Sequence, residues 1–189
     1  MFVYLIGSYF LGTLLTAWWV GKFYKTDLRK HRSGNLGARN AGAVIGKSAF
    51  FLTLLGDAIK GVVVILVGRY LDYPEWIVAI GGLLVICGHI FPFWLKGKGG
   101  KGIATFVGIG LTFNLFFALA FTIGFLVVLP FLRSATLSML FGFLAYTGTI
   151  IYFQDVQVSL PIIVAILLIM YRHRFDFKQS YYEQRWKRS

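Results

Sequence analysis

The sequence predicts an all-α, polytopic integral membrane protein. Three observations carry that reading: 58% hydrophobic residues against 14% charged, a mean hydropathy of +0.73, and apolar runs of membrane length separated by short basic segments. A water-soluble fold of this composition would have too little polar surface to cover itself. The net charge of +12 does not point to nucleic acid, because the basic residues lie between apolar runs and not along one soluble face. The partners it implies are membrane lipids or an anionic substrate. The single cysteine, Cys87, sits inside an apolar run with no partner for an internal disulfide, and reads as packing.

The first apolar run, residues 2–20, has no charged side chain before it and no small-residue cleavage site, so it reads as a retained span and not a signal peptide. Residues 50–67 and 76–95 each suit the roughly 17 to 25 residues of a bilayer crossing. The run 103–132 is ambiguous: its 30 residues would make a helix of about 45 Å, against a hydrocarbon core of about 30 Å. Positive charge resolves it. Of the 19 Lys and Arg residues, seven lie between Lys22 and Lys47, three between Lys96 and Lys101, and six between Arg172 and Arg188. A hairpin turning near Asn114 places all three clusters on the cytoplasmic side, whereas a single long span would put the last cluster opposite the other two. The expectation is therefore one membrane domain over 1–189 with seven transmembrane helices, the N-terminus outside and the C-terminus cytoplasmic. The hairpin spans are 103–116 and 117–132; spans 135–153 and a short 158–171 follow, and 172–189 is a basic tail.

This topology brings polar segments to one membrane face. Residues 32–47, RSGNLGARNAGAVIGK, offer Ser33, Asn35 and Asn40 as hydrogen-bonding side chains, glycines for tight turns, and a helix start able to face an anion. Residues 96–102, KGKGGKG, combine Lys96, Lys98 and Lys101 with glycines that allow successive N–H groups to converge on a phosphate. Positive-inside topology accounts for the lysines alone but not for the glycines. The tail contributes His173, an acid, base or donor near neutral pH. Inside the second span, Asp57 and Lys60 lie three apart on one helical face and can pair. Unpartnered charges at that depth cost about 2.5 to 3.5 kcal/mol each, so the pair reads as bracing for the site.

The ordered set Ser33-Gly34-Asn35-Leu36-Gly37-Ala38, Asp57-Ala58-Ile59-Lys60-Gly61, Gly88-His89-Ile90-Phe91-Pro92 and Lys98-Gly99-Gly100-Lys101-Gly102 resembles the bacterial acyl-phosphate-dependent glycerol-3-phosphate acyltransferases, the PlsY family. The resemblance runs through nearly the whole chain. It implies a seven-helix enzyme of the bacterial inner membrane that moves an acyl group from acyl phosphate to glycerol 3-phosphate, giving lysophosphatidic acid and phosphate in phospholipid synthesis, with no cofactor, thioester donor or metal. Carried over by position, it implies that Ser33, Lys101 and His173 are catalytic. Gly34, Asn35, Asn40, Lys98, Gly99, Gly100 and Ser138 would bind the phosphates, and Asp57, Lys60 and His89 would support the site; Arg39, which is not carried over from the family, is expected to bind phosphate beside them.

The chain departs from that pattern at three positions. Arg39 stands where the family usually has threonine, and Ala43 where it has arginine; the two are four apart and share a helical face, so a guanidinium displaced by one turn is expected. Asp176 stands where the family tends to have asparagine. A carboxylate beside a phosphate needs a cation, and Arg172, Arg174 and Lys178 are the expected partners. Two other functions compete with this reading. A P-loop fails, because Gly97 and Gly102 are followed by Ile103 instead of Lys-Ser/Thr and no strand precedes them. A transporter or binding protein for an organic phosphate would use similar broken helices and dipoles, but its polar groups belong at midplane and not on one face.

Overall fold

The computed structural model describes residues 1–186, and over these the chain is helical with no strand. Lys187 and Arg188, counted in the basic tail, lie outside the described residues. The helices are α1 Phe2–Thr13, α2 Thr16–Phe23, α3 Ala38–Val44, α4 Lys47–Tyr70, α5 Glu75–Ile90, α6 Ile103–Phe113, α7 Leu115–Leu132, α8 Ala135–Phe153 and α9 Val156–Trp186, with 3₁₀ turns at Leu28–Lys30 and Phe93–Leu95. Among the described residues six segments are long and apolar enough to cross a bilayer: Phe2–Phe23, Lys47–Tyr70, Glu75–Leu95, Leu115–Leu132, Ala135–Phe153 and Val156–Glu183. The apolar helix α6, Ile103–Phe113, is shorter.

The first span is not one helix. It breaks at Leu14–Leu15, which frees carbonyls at the end of α1 and an N–H at the start of α2. Broken backbone at membrane depth is tolerated only where protein groups satisfy it, and two charged residues do so. Lys60 donates to Gly12 O (3.3 Å) and Leu14 O (3.0 Å), and Asp57 accepts from Thr16 N–H (3.3 Å). The Trp94 indole adds a bond to Thr13 O at 3.0 Å. Lys60 and Asp57 also pair with each other at 2.9 Å, with side chains only 6% and 2% exposed.

The expected turn at Asn114 is present, for local reasons. The Asn114 side chain accepts from Phe116 N–H (2.9 Å), an N-cap for α7. The Arg69 guanidinium, paired with Glu75, donates to Thr112 O and Phe113 O at 2.8 Å each and so satisfies the last carbonyls of α6. The chain then folds back: Phe106 of α6 packs on Phe121 of α7, ring centroids 6.4 Å apart.

Close helix crossings depend on glycine. A Cβ on Gly88 would stand 2.0 Å from Tyr9 O, and one on Gly12 2.2 Å from Val85 O, so α1 and α5 touch backbone to backbone. The main core, including Ile65, Ile86, Ile109, Phe117, Phe143, Tyr146 and Ile166, lies among α4, α5, α6, α7, α8 and α9. A smaller cluster of Leu15, Ala17, Leu28, Leu36, Ala41 and Ala49 seats the segment 28–41 against α2 and α4. The last span is also longer than the sequence reading expected: α9 continues without interruption from Val156 through the basic segment to Trp186, so its first basic residues project from a helix and not from an irregular tail.

Candidate active site

Three of the polar segments meet. Leu36 O and the His89 ring both lie within 3 Å of where a Cβ on Gly100 would be, which places the 33–37 loop, the 97–101 loop and the end of α5 in contact. From the other side, Arg172 of α9 donates to Gly99 O (3.3 Å) and Gly100 O (3.5 Å). Lys101 and Asp176 form an ion pair, both partly exposed. The partner of Asp176 is thus Lys101, not Arg172, Arg174 or Lys178: α9 rises beside the loop, and Asp176 falls one turn beyond Arg172 on the same face. Arg174 stacks instead over the Tyr171 and Phe175 rings at 4.1 and 4.4 Å.

The 33–40 segment is ordered by its own side chains. The Ser33 hydroxyl donates to Asn40 Oδ1 (3.1 Å) and accepts from Asn35 N–H (3.4 Å). Asn40, 4% exposed, donates its amide to Leu28 O at 3.0 Å. With its oxygen on the Ser33 hydroxyl and its amino group on Leu28 O, the Asn40 amide holds Ser33 in place. Gly34 adopts φ +66° with Arg29 O 3.0 Å from a notional Cβ, a turn that favours glycine. Arg39 and Ala43 both lie on the exposed surface of the short helix α3, which agrees with a shared face.

The glycine-rich loop is used differently from the expectation. Gly99 N–H donates to Ile90 O and Gly100 N–H to His89 O, each at 3.1 Å, so these groups do not cradle an anion. Their lack of side chains has a packing cause: a Cβ on Gly99 would be 2.1 Å from His89 O, and one on Gly100 2.1 Å from His89 Nε2. The glycines let the loop fold flat onto α5, which directs Lys101 toward α9. Gly102 at φ +89° turns the chain into α6. Lys98 is exposed on the same loop.

The two histidines are distinct. His89 is 2% exposed and its Nδ1 lies 3.0 Å from Lys60 Nζ. Since the ammonium can only donate, Nδ1 is the acceptor, and His89 links the Asp57–Lys60 pair to the loop packed on its ring. His173 Nδ1 donates to Ile169 O at 2.9 Å; in the neutral ring this leaves Nε2 as the acceptor. Ser138 is fully buried in α8, and its hydroxyl has no protein partner. Among the described residues no hydrogen bond joins it to the loops, so of the expected site residues it stands apart from the hydrogen-bonded cluster. Sequence reasoning missed the Leu14–Leu15 break, the Trp94 staple and the Arg172 clasp. Thr13 and Thr16 flanking two leucines gave little warning, and long-range carbonyl contacts have no local signature.

Residues 2–181 match the family model described as glycerol-3-phosphate acyltransferase. Among curated relatives, the chain is similar to glycerol-3-phosphate acyltransferase 1 of Bacillus thuringiensis subsp. konkukian, with 38% identity over 175 residues covering 92% of this chain and 96% of the relative. It is also similar to the glycerol-3-phosphate acyltransferase of Pelagibacter ubique, with 39% identity over 176 residues, 93% of this chain and 88% of that one. Among solved structures, it is similar to PlsY, an integral membrane glycerol 3-phosphate acyltransferase, in its glycerol 3-phosphate form, with TM-score 0.88 and 27% identity over 97% of this chain and 92% of that one. The lysophosphatidic acid form of PlsY gives TM-score 0.85 and 26% identity, with the same coverage. On a match that spans nearly its whole length in sequence and in fold, this chain belongs to the glycerol-3-phosphate acyltransferase family.

Proposed function

We propose that this chain transfers an acyl group from acyl phosphate to the 1-hydroxyl of glycerol 3-phosphate, forming lysophosphatidic acid and phosphate. It is an acyltransferase of phospholipid synthesis and a multi-pass bacterial membrane protein. The observation that supports the proposed site best is the meeting of the 33–37 loop, Lys101 and the Arg172–Asp176 stretch of α9 on one patch of this fold.

Acyl phosphate is already activated, so the protein has to position two phosphates and stabilise charge more than supply a nucleophile. Lys101 and the first-turn N–H groups of α6 hold the phosphate that leaves, and Ser33, Gly34, Asn35 and Arg39 face the acceptor. Lys101 exchanges Asp176 for the substrate phosphate on binding. The glycerol hydroxyl attacks the acyl carbonyl carbon directly and the carbonyl–phosphate C–O bond breaks. The hydroxyl proton passes to His173 Nε2 or to a phosphate oxygen. Lys98 adds long-range positive charge, and Ser138 offers its unpartnered hydroxyl from the bundle side. The acyl tail rests among the spans, at about 0.8 kcal/mol per buried CH₂. We further propose seven crossings within one membrane domain, with α6 as a short crossing, the N-terminus outside and the C-terminus cytoplasmic.

Purified protein in detergent, given synthetic acyl phosphate and glycerol 3-phosphate, should form lysophosphatidic acid, with acyl-CoA inactive as donor. No product from acyl phosphate would refute the reading, as would an acyl–protein adduct trapped during turnover. Arg39→Ala should raise the KM for glycerol 3-phosphate by about tenfold, the scale of one lost charged contact.

A further inference from the structure

The end of α2 carries charge and shape to which the proposed acyl transfer assigns no role, in a cavity that meets the 33–37 loop at Leu36. Helix α2 closes in a Schellman turn: Thr26 N–H donates to Gly21 O (2.8 Å) and Lys25 N–H to Lys22 O (3.1 Å). Lys25 sits at φ +53°, where glycine is the usual residue and a side chain is strained. The lysine kept there lines a cavity of about 380 Å³ with Trp18, Lys22, Asp27, Arg29 and Leu36. The Asp27 carboxylate is held by the Arg29 guanidinium in two bonds of 2.9 Å, so among the described residues lining this cavity Lys22 and Lys25 are the charges without an acidic partner. Lys22 rests over the Trp18 ring, 5.2 Å from its centre. It also lines a second cavity, about 580 Å³, otherwise walled by Trp19, Val20, Phe23, Tyr24 and Leu52. Trp19, Phe23 and Leu52 are more than half exposed on the spans themselves.

We infer that the two cavities form one binding site for an anionic phospholipid of the surrounding bilayer. Its headgroup phosphate lies between Lys22 and Lys25, and one acyl chain runs along Trp19, Phe23 and Leu52. Charge and shape select this occupant together. A free phosphate has no use for the apolar groove, and a zwitterionic lipid brings an ammonium that two lysines disfavour. Trp18, Trp19 and Tyr24 place the junction at headgroup depth, where such rings collect. The inference does not depend on acyl transfer.

Native mass spectrometry of the detergent-purified chain, titrated with phosphatidylglycerol, phosphatidylcholine or inorganic phosphate, tests it. One phosphatidylglycerol should bind saturably, with phosphatidylcholine at least about fivefold weaker. Lys22→Gln/Lys25→Gly should weaken phosphatidylglycerol about tenfold, the scale of two interfacial lysines. Arg133→Ala/Lys178→Ala, which removes equal charge elsewhere, should change it less than about twofold. Glycine suits the turn at position 25, and the comparison of lipids on the unaltered chain stands without any variant. Equal binding of the two lipids, equal loss in both double variants, or displacement of the lipid by millimolar phosphate would overturn the inference.

Discussion

At the scale of the residue, Asp176 governs how available Lys101 is. Their ion pair competes with any phosphate for the same ammonium, so Asp176→Asn should lower the KM for phosphorylated substrate several-fold, read from steady-state kinetics in detergent. Lys101→Ala removes the charge proposed to hold the leaving phosphate and should reduce kcat/KM by about 10²-fold. Rescue by arginine would be partial, because a planar fork replaces a point charge. Asp27 gives a pH prediction outside the membrane. The bonds from Arg29 hold its carboxyl below the ordinary value of 3.8, at about 2. A folded-state value depressed in this way adds stability that is complete above the unfolded value and disappears as pH falls through the folded one. The pair is exposed, so Asp27→Asn should cost no more than about 1 kcal/mol at neutral pH. The difference from the unaltered chain should shrink between pH 4 and pH 2 in thermal melts.

At the scale of the element, the broken first span depends on charges from α4. Lys60 satisfies two carbonyls at the break and neutralises Asp57. Lys60→Met leaves a buried carboxylate uncompensated and should destabilise by about 3 to 5 kcal/mol; adding Asp57→Asn should recover part of that loss. Thermal unfolding in detergent reads both. The α1–α5 crossing makes a second demand. Gly88→Ala would drive a methyl into Tyr9 O and should cost about 1 to 3 kcal/mol, while Gly7→Ala, with open space at that position, should cost little.

At the scale of the whole molecule, α7 is the outlier. Of its residues only Phe117 is buried, and its contact with α8 runs through Gly124 and Gly142, each within 3 Å of a neighbour if given a Cβ. An apolar helix exposed on most sides belongs to lipid, which agrees with a crossing that follows the Asn114 turn. Reporter tags that work on only one side of the membrane should place the N-terminus outside and the C-terminus inside. Both termini on one side would refute seven crossings.

The membrane class, the helix boundary at Asn114 and the Asp57–Lys60 pair were legible in the sequence because each rests on local chemistry: apolar length, a capping side chain, and charges three residues apart on one helix. The convergence of residues 33–37 with 97–101 was legible only through charge sidedness and the resemblance of the ordered motifs. Only the tertiary structure decided what the polar groups touch. It assigned Asp176 to Lys101, gave the Gly99 and Gly100 N–H groups to α5 carbonyls, committed Asn40 to Ser33, and tied Asp57 and Lys60 to a helix break more than 40 residues away. Composition and spacing determine that a charge must be partnered at membrane depth; which partner it takes depends on how helices cross, and here glycines bring those helices within backbone contact.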